Sequence, residues 1–275
     1  MENIRQPAVA GQFYPGMDDI LEKQVSSFLT DGVAETGVLG AVMPHAGYIY
    51  SGSVAGETVS HLDVPGKVIL LGPNHTGAGA RISVFPSGSW SMPFGRLPVD
   101  EKLAGLIIDG ITGAGPDRMA HVREHSIEVQ LPFLYYRKKG PFTFVPITLS
   151  MLPEDECRDV GLALARIIQS SDDDILIVAS SDMTHYESDE SARKKDSLAI
   201  ERMLQLDPAG LLEVVHTRRI SMCGIIPVAV MLYALTALGA VSTKLVRYTT
   251  SAEASGDYSH VVGYAGIIIK SGSSG

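Results

Sequence analysis

Short apolar runs rich in β-branched residues recur along the chain with helical periodicity set between several of them, and this alternation restricts the fold more than any other feature. The runs are Val38–Met43, Val68–Leu71, Ile82–Phe85, Phe142–Leu149, Ile175–Ala179, Leu245–Tyr248 and Val261–Ile269, each short enough for a strand. Helical patterns cover Met17–Leu29, Ser53–Leu62, Glu101–Ile108, Ile127–Arg137, Pro153–Ile168, Glu190–Leu206 and Gly224–Leu238. Strands alternating with helices predict an α/β layer fold. Val68–Leu71 and Ile175–Ala179 are apolar throughout instead of alternating, as strands covered on both faces are. The expected architecture is a three-layer α/β/α sandwich around a mixed, largely parallel sheet.

No repeat or linker-like stretch divides the 275 residues before a Ser-Gly-Ser-Ser-Gly tail. The reading is one domain over residues 1–270 and a flexible tail over 271–275. A chain of this size buries enough surface to need no structural metal, so a bound metal would be functional. The formal net charge of -9 lacks the basic excess that a phosphate backbone requires and disfavours nucleic-acid binding. Two cysteines and an N-terminus without an apolar stretch point to the reducing cytoplasm. Ile220–Thr243 carries no charge and is long enough to span a bilayer, yet Ser221, Pro227, Tyr233, Thr236, Gly239 and Ser242 dilute it. It is expected to form a helix buried in the core, with no membrane partner.

Three of the strands run directly into ligand-type side chains. Val38–Met43 leads to Pro44-His45-Ala46-Gly47, Val68–Leu71 to Gly72-Pro73-Asn74-His75, and Ile175–Ala179 to Ser180-Ser181-Asp182-Met183-Thr184-His185. The carboxyl ends of parallel strands open onto one crevice, so His45, His75, Asp182 and His185 are expected to share a site. Singly, each has a plainer explanation: a His after a strand is usually a hydrogen-bonded turn residue, and Asp182 could be only a helix cap. Three such strand ends together favour a site. The three-residue spacing of Asp182 and His185 suits an imidazole that works with a carboxylate.

Cys223 precedes Gly224 and Pro227 at the start of the uncharged segment. A helix beginning there would place the thiol at the positive end of its dipole and favour the thiolate, the form that binds metals or attacks electrophiles. The alternative is a small buried hydrophobe. In Glu124-His125-Ser126-Ile127-Glu128, Ser126 could cap a helix burying Ile127, Leu131 and Leu134, with His125 and Glu128 as polar groups behind the site. His121 has helical spacing to His125 but reads as a loop residue. His61, His216 and His260 carry no functional reading, and Cys157 falls in an acidic amphipathic helix.

The order of these motifs resembles the Memo family, named for a mediator of cell motility. The match covers nearly the whole chain: Arg5-Gln6-Pro7-Ala8-Val9-Ala10-Gly11-Gln12-Phe13-Tyr14-Pro15, Pro44-His45-Ala46-Gly47-Tyr48, Leu71-Gly72-Pro73-Asn74-His75, Glu124-His125-Ser126-Ile127-Glu128, Ser180-Ser181-Asp182 with His185, and Cys223-Gly224 with Pro227. The resemblance implies a fold like that of the non-haem iron extradiol dioxygenases. It further implies that His45 and His75 match their two metal-binding histidines, that His185 matches their acid/base histidine, and that Cys223 stands where they place a glutamate ligand. Asn74 and Tyr48 join His125 and Glu128 in the second shell or ligand pocket. Two imidazoles and a thiolate suit iron or copper, with zinc also accommodated, and dioxygenase activity does not follow from the fold.

Three functions are then open. The first is a metal-centred oxidoreductase in which His45, His75 and Cys223 hold iron or copper while His185 and Asp182 serve as catalytic groups. The second is a non-enzymatic module that binds a peptide or small metabolite on a vestigial dioxygenase scaffold. The third, a metal-dependent hydrolase, lacks any H-E-x-x-H or G-x-S-x-G pattern and is a minority reading.

Overall fold

A computed structural model describes residues 3–272. Its strands are β1 (Ile4–Arg5), β2 (Val38–Met43), β3 (Lys67–Pro73), β4 (Ile82–Val84), β5 (Ser89–Met92), β6 (Gly95–Pro98), β7 (Ala114–Pro116), β8 (Thr143–Leu149), β9 (Ile175–Ser180), β10 (His185–Glu187), β11 (Ala240–Thr250) and β12 (Val261–Ser271). Its helices are α1 (Asp18–Phe28), α2 (Tyr48–Ser60), α3 (Glu101–Gly110), α4 (Met119–Val122), α5 (Leu131–Lys138), α6 (Glu154–Gln169), α7 (Asp189–Leu204), α8 (Pro208–Arg218), α9 (Ile225–Ala237) and α10 (Ala252–Ser255).

The centre of the main sheet is four parallel strands in the order β2-β9-β3-β8. Antiparallel partners flank them: β12 on β2, with β11 beyond it, and β4 on β8. The sheet is therefore mixed, with a parallel core covered by helices. A Cβ added at Gly40 would strike Leu235 and Met231 of α9, whereas one added at Gly266 would strike Thr58 of α2. Ile269 pairs with Gly40 and lies three residues beyond Gly266, so the two contacts are on opposite faces and place α2 and α9 on opposite sides of the sheet. A separate small sheet, β1-β5-β6, sets Arg5 opposite Trp90.

The uncharged segment is not one long helix. α9 starts after Gly224 and ends before Gly239, whose φ of +86° stops it, and the remainder enters β11. Among the described residues no helix is long and apolar enough to cross a membrane. α9 is apolar all round because the sheet covers one side and α6 the other. At Gly161 of α6 an added Cβ would lie 2.5 Å from the Tyr233 Cβ, so the two backbones touch where only glycine fits.

The expected helix over Ile127–Arg137 is broken into a 3-10 turn, Glu128–Gln130, and α5. Ser126 does not cap it; its hydroxyl lies against the Pro73 carbonyl at 3.3 Å. Helix α8 had no counterpart in the periodicity, although Asp207 caps it by accepting from Gly210 N and Pro208 opens its first turn. Of the tail, Ser271 still belongs to β12, and 273–275 lie outside the described residues.

Candidate metal centre

His45, His75 and Asp182 each lie two residues beyond the end of a parallel strand, β2, β3 and β9 respectively. Because those strands are neighbours, the three residues meet at one end of the sheet. The Asp182 carboxylate accepts from His45 N at 2.7 Å, and Ser181 N continues the ladder to Met43 O at 2.9 Å. Adjacent registers thus bring these three strand ends together.

The structure brings a third imidazole into this group. Ligand atoms of His45, His75 and His125 all lie within 4.8 Å of one another. The His75 and His125 rings stack at 4.9 Å with 19° between their planes, and His45 meets both edge-on at 5.2 and 5.5 Å. His125 therefore stands in the cluster itself, a step inside the supporting position its motif had indicated. Burial is graded: His45 is buried, His125 is half-buried and His75 faces solvent.

Glu124 was not singled out by the sequence, and it organises half the cluster. Its buried carboxylate accepts from His75 N at 2.7 Å, from His75 Nδ1 at 2.9 Å and from Ser126 N at 2.9 Å, and it lies 3.5 Å from His125 Nδ1. A carboxylate on Nδ1 is the arrangement that orients a metal-binding imidazole and raises its basicity. Burial works against the Glu124 charge, but the His75 hydrogen bond and the two imidazoles prevail and hold its pKa at about 2. Burial likewise lowers the basicity of His75, and Glu124 overcomes this and raises it. His45, enclosed without a carboxylate on its ring and facing other imidazoles, is held well below the ordinary histidine range.

Cys223 sits immediately before the Gly224 cap of α9, as expected, with its Sγ 3.1 Å from His45 Nε2 and within reach of Asp182 N at 3.3 Å. A Cβ on Gly224 would collide with Ser180 O at 2.2 Å, which is why glycine follows the cysteine. The expected depression of the thiol pKa is reversed in the metal-free chain. Burial and the neighbouring Asp182 carboxylate push it up and outweigh the helix end. Asp182 is itself raised by burial, against hydrogen bonds from His45 N and Ala46 N and the charges of His185 and His75.

His185 opens β10 at a bulge, with Tyr186 beside it at φ +59°. Its Nδ1 donates to Ser221 O at 2.9 Å, which leaves Nε2 free to take a proton. The other predicted pocket residues turn their polar atoms elsewhere. Glu128 is buried in a clasp on the N-terminal segment, accepting from Arg5 Nη1 at 2.6 Å, Ala8 N at 2.7 Å, Val9 N at 3.1 Å and Tyr14 OH at 2.7 Å. Asn74 closes its own turn on Gly77 N and Ala78 O, and Tyr48 OH donates to Val129 O. His121 is a packed core residue against Phe85 and Trp90.

Fold and site together define a mixed α/β protein with a three-histidine cluster, close enough together that it could hold a metal ion, at the carboxyl end of its parallel strands. The chain belongs to the Memo-like protein family, whose profile matches residues 5–268. It is 41% identical over 281 residues to a MEMO1 family protein of Methanopyrus kandleri, covering 98% of this chain and 99% of the relative. It is 44% identical over 270 residues to a MEMO1 family protein of Methanosarcina barkeri, covering 97% and 100%. A crystal structure of an uncharacterized protein of Escherichia coli K12 shares the fold at a TM-score of 0.54 and 12% identity, over 83% of this chain and 98% of that one.

Proposed function

We propose that the chain holds iron or copper, with zinc as the alternative, on His45, His75 and His125, and that it acts as an oxidoreductase on a small organic substrate. The observation that carries this reading is the convergence of three imidazoles, one of them fixed by the Glu124 carboxylate. Imidazole donors suit these three metals, and the Cys223 thiol beside His45 adds a soft donor that further favours copper, zinc or iron. When bound, the metal supplies Lewis acidity and, as iron or copper, electron transfer.

The chain's own groups do the rest. His185, held by Ser221, takes or returns a substrate proton through Nε2. Asp182 fixes the His45 backbone and keeps a carboxylate among His45, His75 and His185. The solvent-facing side at His75 admits the substrate, while His45 closes the floor.

The test is elemental analysis after anaerobic purification, on the unmodified chain and on His45→Ala, His75→Ala, His125→Ala and Cys223→Ala. Metal is expected in the parent and absent from the three histidine variants, and Cys223→Ala reports whether the thiol is a fourth donor. Full metal in both His45→Ala and His75→Ala overturns the assignment. Oxygen consumption on a panel of catechols with added Fe(II) then separates an oxidoreductase, whose turnover His185→Ala abolishes, from a module that only binds.

A further inference from the structure

The histidines of the cluster are held by different kinds of partner. His75 Nδ1 meets a carboxylate, which can only accept, so that nitrogen carries the proton. His45 Nδ1 meets the hydroxyl of Ser180 at 2.9 Å, and a hydroxyl can donate or accept. Its role is settled by its other neighbours.

Ser180 Oγ has one proton and three polar contacts. It lies 2.7 Å from Ser126 O, a carbonyl that can only accept, so the proton goes there. It lies 2.7 Å from Gln130 Nε2. The same amide nitrogen is 2.9 Å from Pro44 O, which fixes the donor end of Gln130 at this position, since a flipped amide would set two oxygens against each other. Gln130 therefore donates to Ser180, and the remaining lone pair of Ser180 is left to accept from His45. Every group in the chain is buried, so no solvent competes.

We infer that Ser180 and Gln130 are positioning residues that lock His45 as its Nδ1–H tautomer and so present the Nε2 lone pair to the cluster. The inference rests on the metal reading for its purpose, not for its geometry. The lock spans three elements: Ser180 ends β9, Gln130 lies in the 3-10 turn before α5, and Pro44 follows β2. Splitting Ile127–Arg137 into a 3-10 turn and α5 is what sets Gln130 at the strand ends. Without the lock a neutral imidazole would distribute between two tautomers, and the Nε2–H form cannot bind a metal at that atom.

The experiment is nitrogen-15 imidazole NMR on the metal-free full chain, paired with zinc titration. The parent should show His45 with its proton on Nδ1 and an unprotonated Nε2 that faces the Cys223 thiol. Ser180→Ala should give a mixture of tautomers at His45, leave His75 unchanged, and weaken zinc binding by about tenfold or more. Ser180→Thr, which keeps a hydroxyl, should restore both. A parent His45 protonated at Nε2 overturns the inference, as does a folded Ser180→Ala with unaltered tautomer and zinc affinity. If Ser180→Ala fails to fold, the parent spectrum and Ser180→Thr still decide. Failure of the parent to bind zinc, iron or copper would remove the proposed function while leaving the tautomer result standing.

Discussion

The two halves of the cluster solve the same problem with opposite electrostatics. On the His75 and His125 side a single carboxylate, Glu124, faces two imidazoles close to solvent. On the His45 side no carboxylate lies on the ring: Nδ1 meets the Ser180 hydroxyl backed by the Gln130 amide, Nε2 meets the Cys223 thiol, and the buried Asp182 carboxylate accepts from the backbone N–H instead. A buried charge is costly unless it is paired, so the buried Glu124 carboxylate stands where two backbone N–H groups and two imidazoles face it. The neutral lock stands on the ring nitrogen that no carboxylate reaches. Glu124 thus raises the basicity of His75, whereas burial lowers that of His125 despite the same carboxylate and holds His45 well below the ordinary range.

The comparison breaks most sharply if either half is emptied. His45→Ala and His75→Ala should each lower metal affinity by at least about 100-fold, more than loss of a group that only hydrogen-bonds to a metal-holding imidazole does. Equilibrium competition with a chromogenic chelator measures this, and an intact affinity in either variant would show that the halves are not parts of one centre.

The next largest effect is at Glu124. Glu124→Ala leaves His75 N, His75 Nδ1 and Ser126 N without their acceptor. A loss of about 3 kcal/mol in urea unfolding is expected, with metal affinity down about tenfold to 100-fold. Imidazole NMR should show His75 altered and His45 unchanged; the reverse result would refute the division into halves.

Gly224→Ala perturbs the opposite half. The added methyl would need to displace the Ser180 carbonyl, at a cost of about 1–3 kcal/mol. Here His45 should respond while the His75 contact to Glu124 persists.

The smallest effect sharpens the contrast with a histidine outside the cluster. Burial, with the Arg5 charge beside it, lowers His121 to about 4, below the ordinary value of 6.5. The unfolded chain then binds more protons between those values, so stability from this residue is complete above pH 6.5 and is lost as pH falls toward 4. A decline of about 1 kcal/mol between pH 6.5 and 5.5 is expected in the metal-free chain. In His121→Gln this part of the decline should disappear, and an unchanged pH profile would contradict it.

The sequence alone determined the alternation of strands and helices, and with it a sheet whose carboxyl ends gather His45, His75 and Asp182. Those residues were legible because the rule that places them is local: a buried strand ends, and a ligand-type side chain follows. Cys223 at the start of α9 was legible from Gly224 and Pro227 for the same reason. The roles of Glu124, His125 and Gln130 were not. Gln130 lies inside the expected Ile127–Arg137 helix, whose periodicity hides the 3-10 turn that brings its amide to Pro44, 86 residues away. Glu124 and His125 lie in the irregular segment before that turn, and Glu124 bonds His75, 49 residues away. The rise of the Cys223 thiol was likewise invisible, since a dipole can be read from neighbours in sequence but desolvation and the Asp182 carboxylate are set by packing. Local backbone rules fix where a chain turns. Only the tertiary structure decides which buried polar groups meet, because the energy of each depends on every partner that replaces its water.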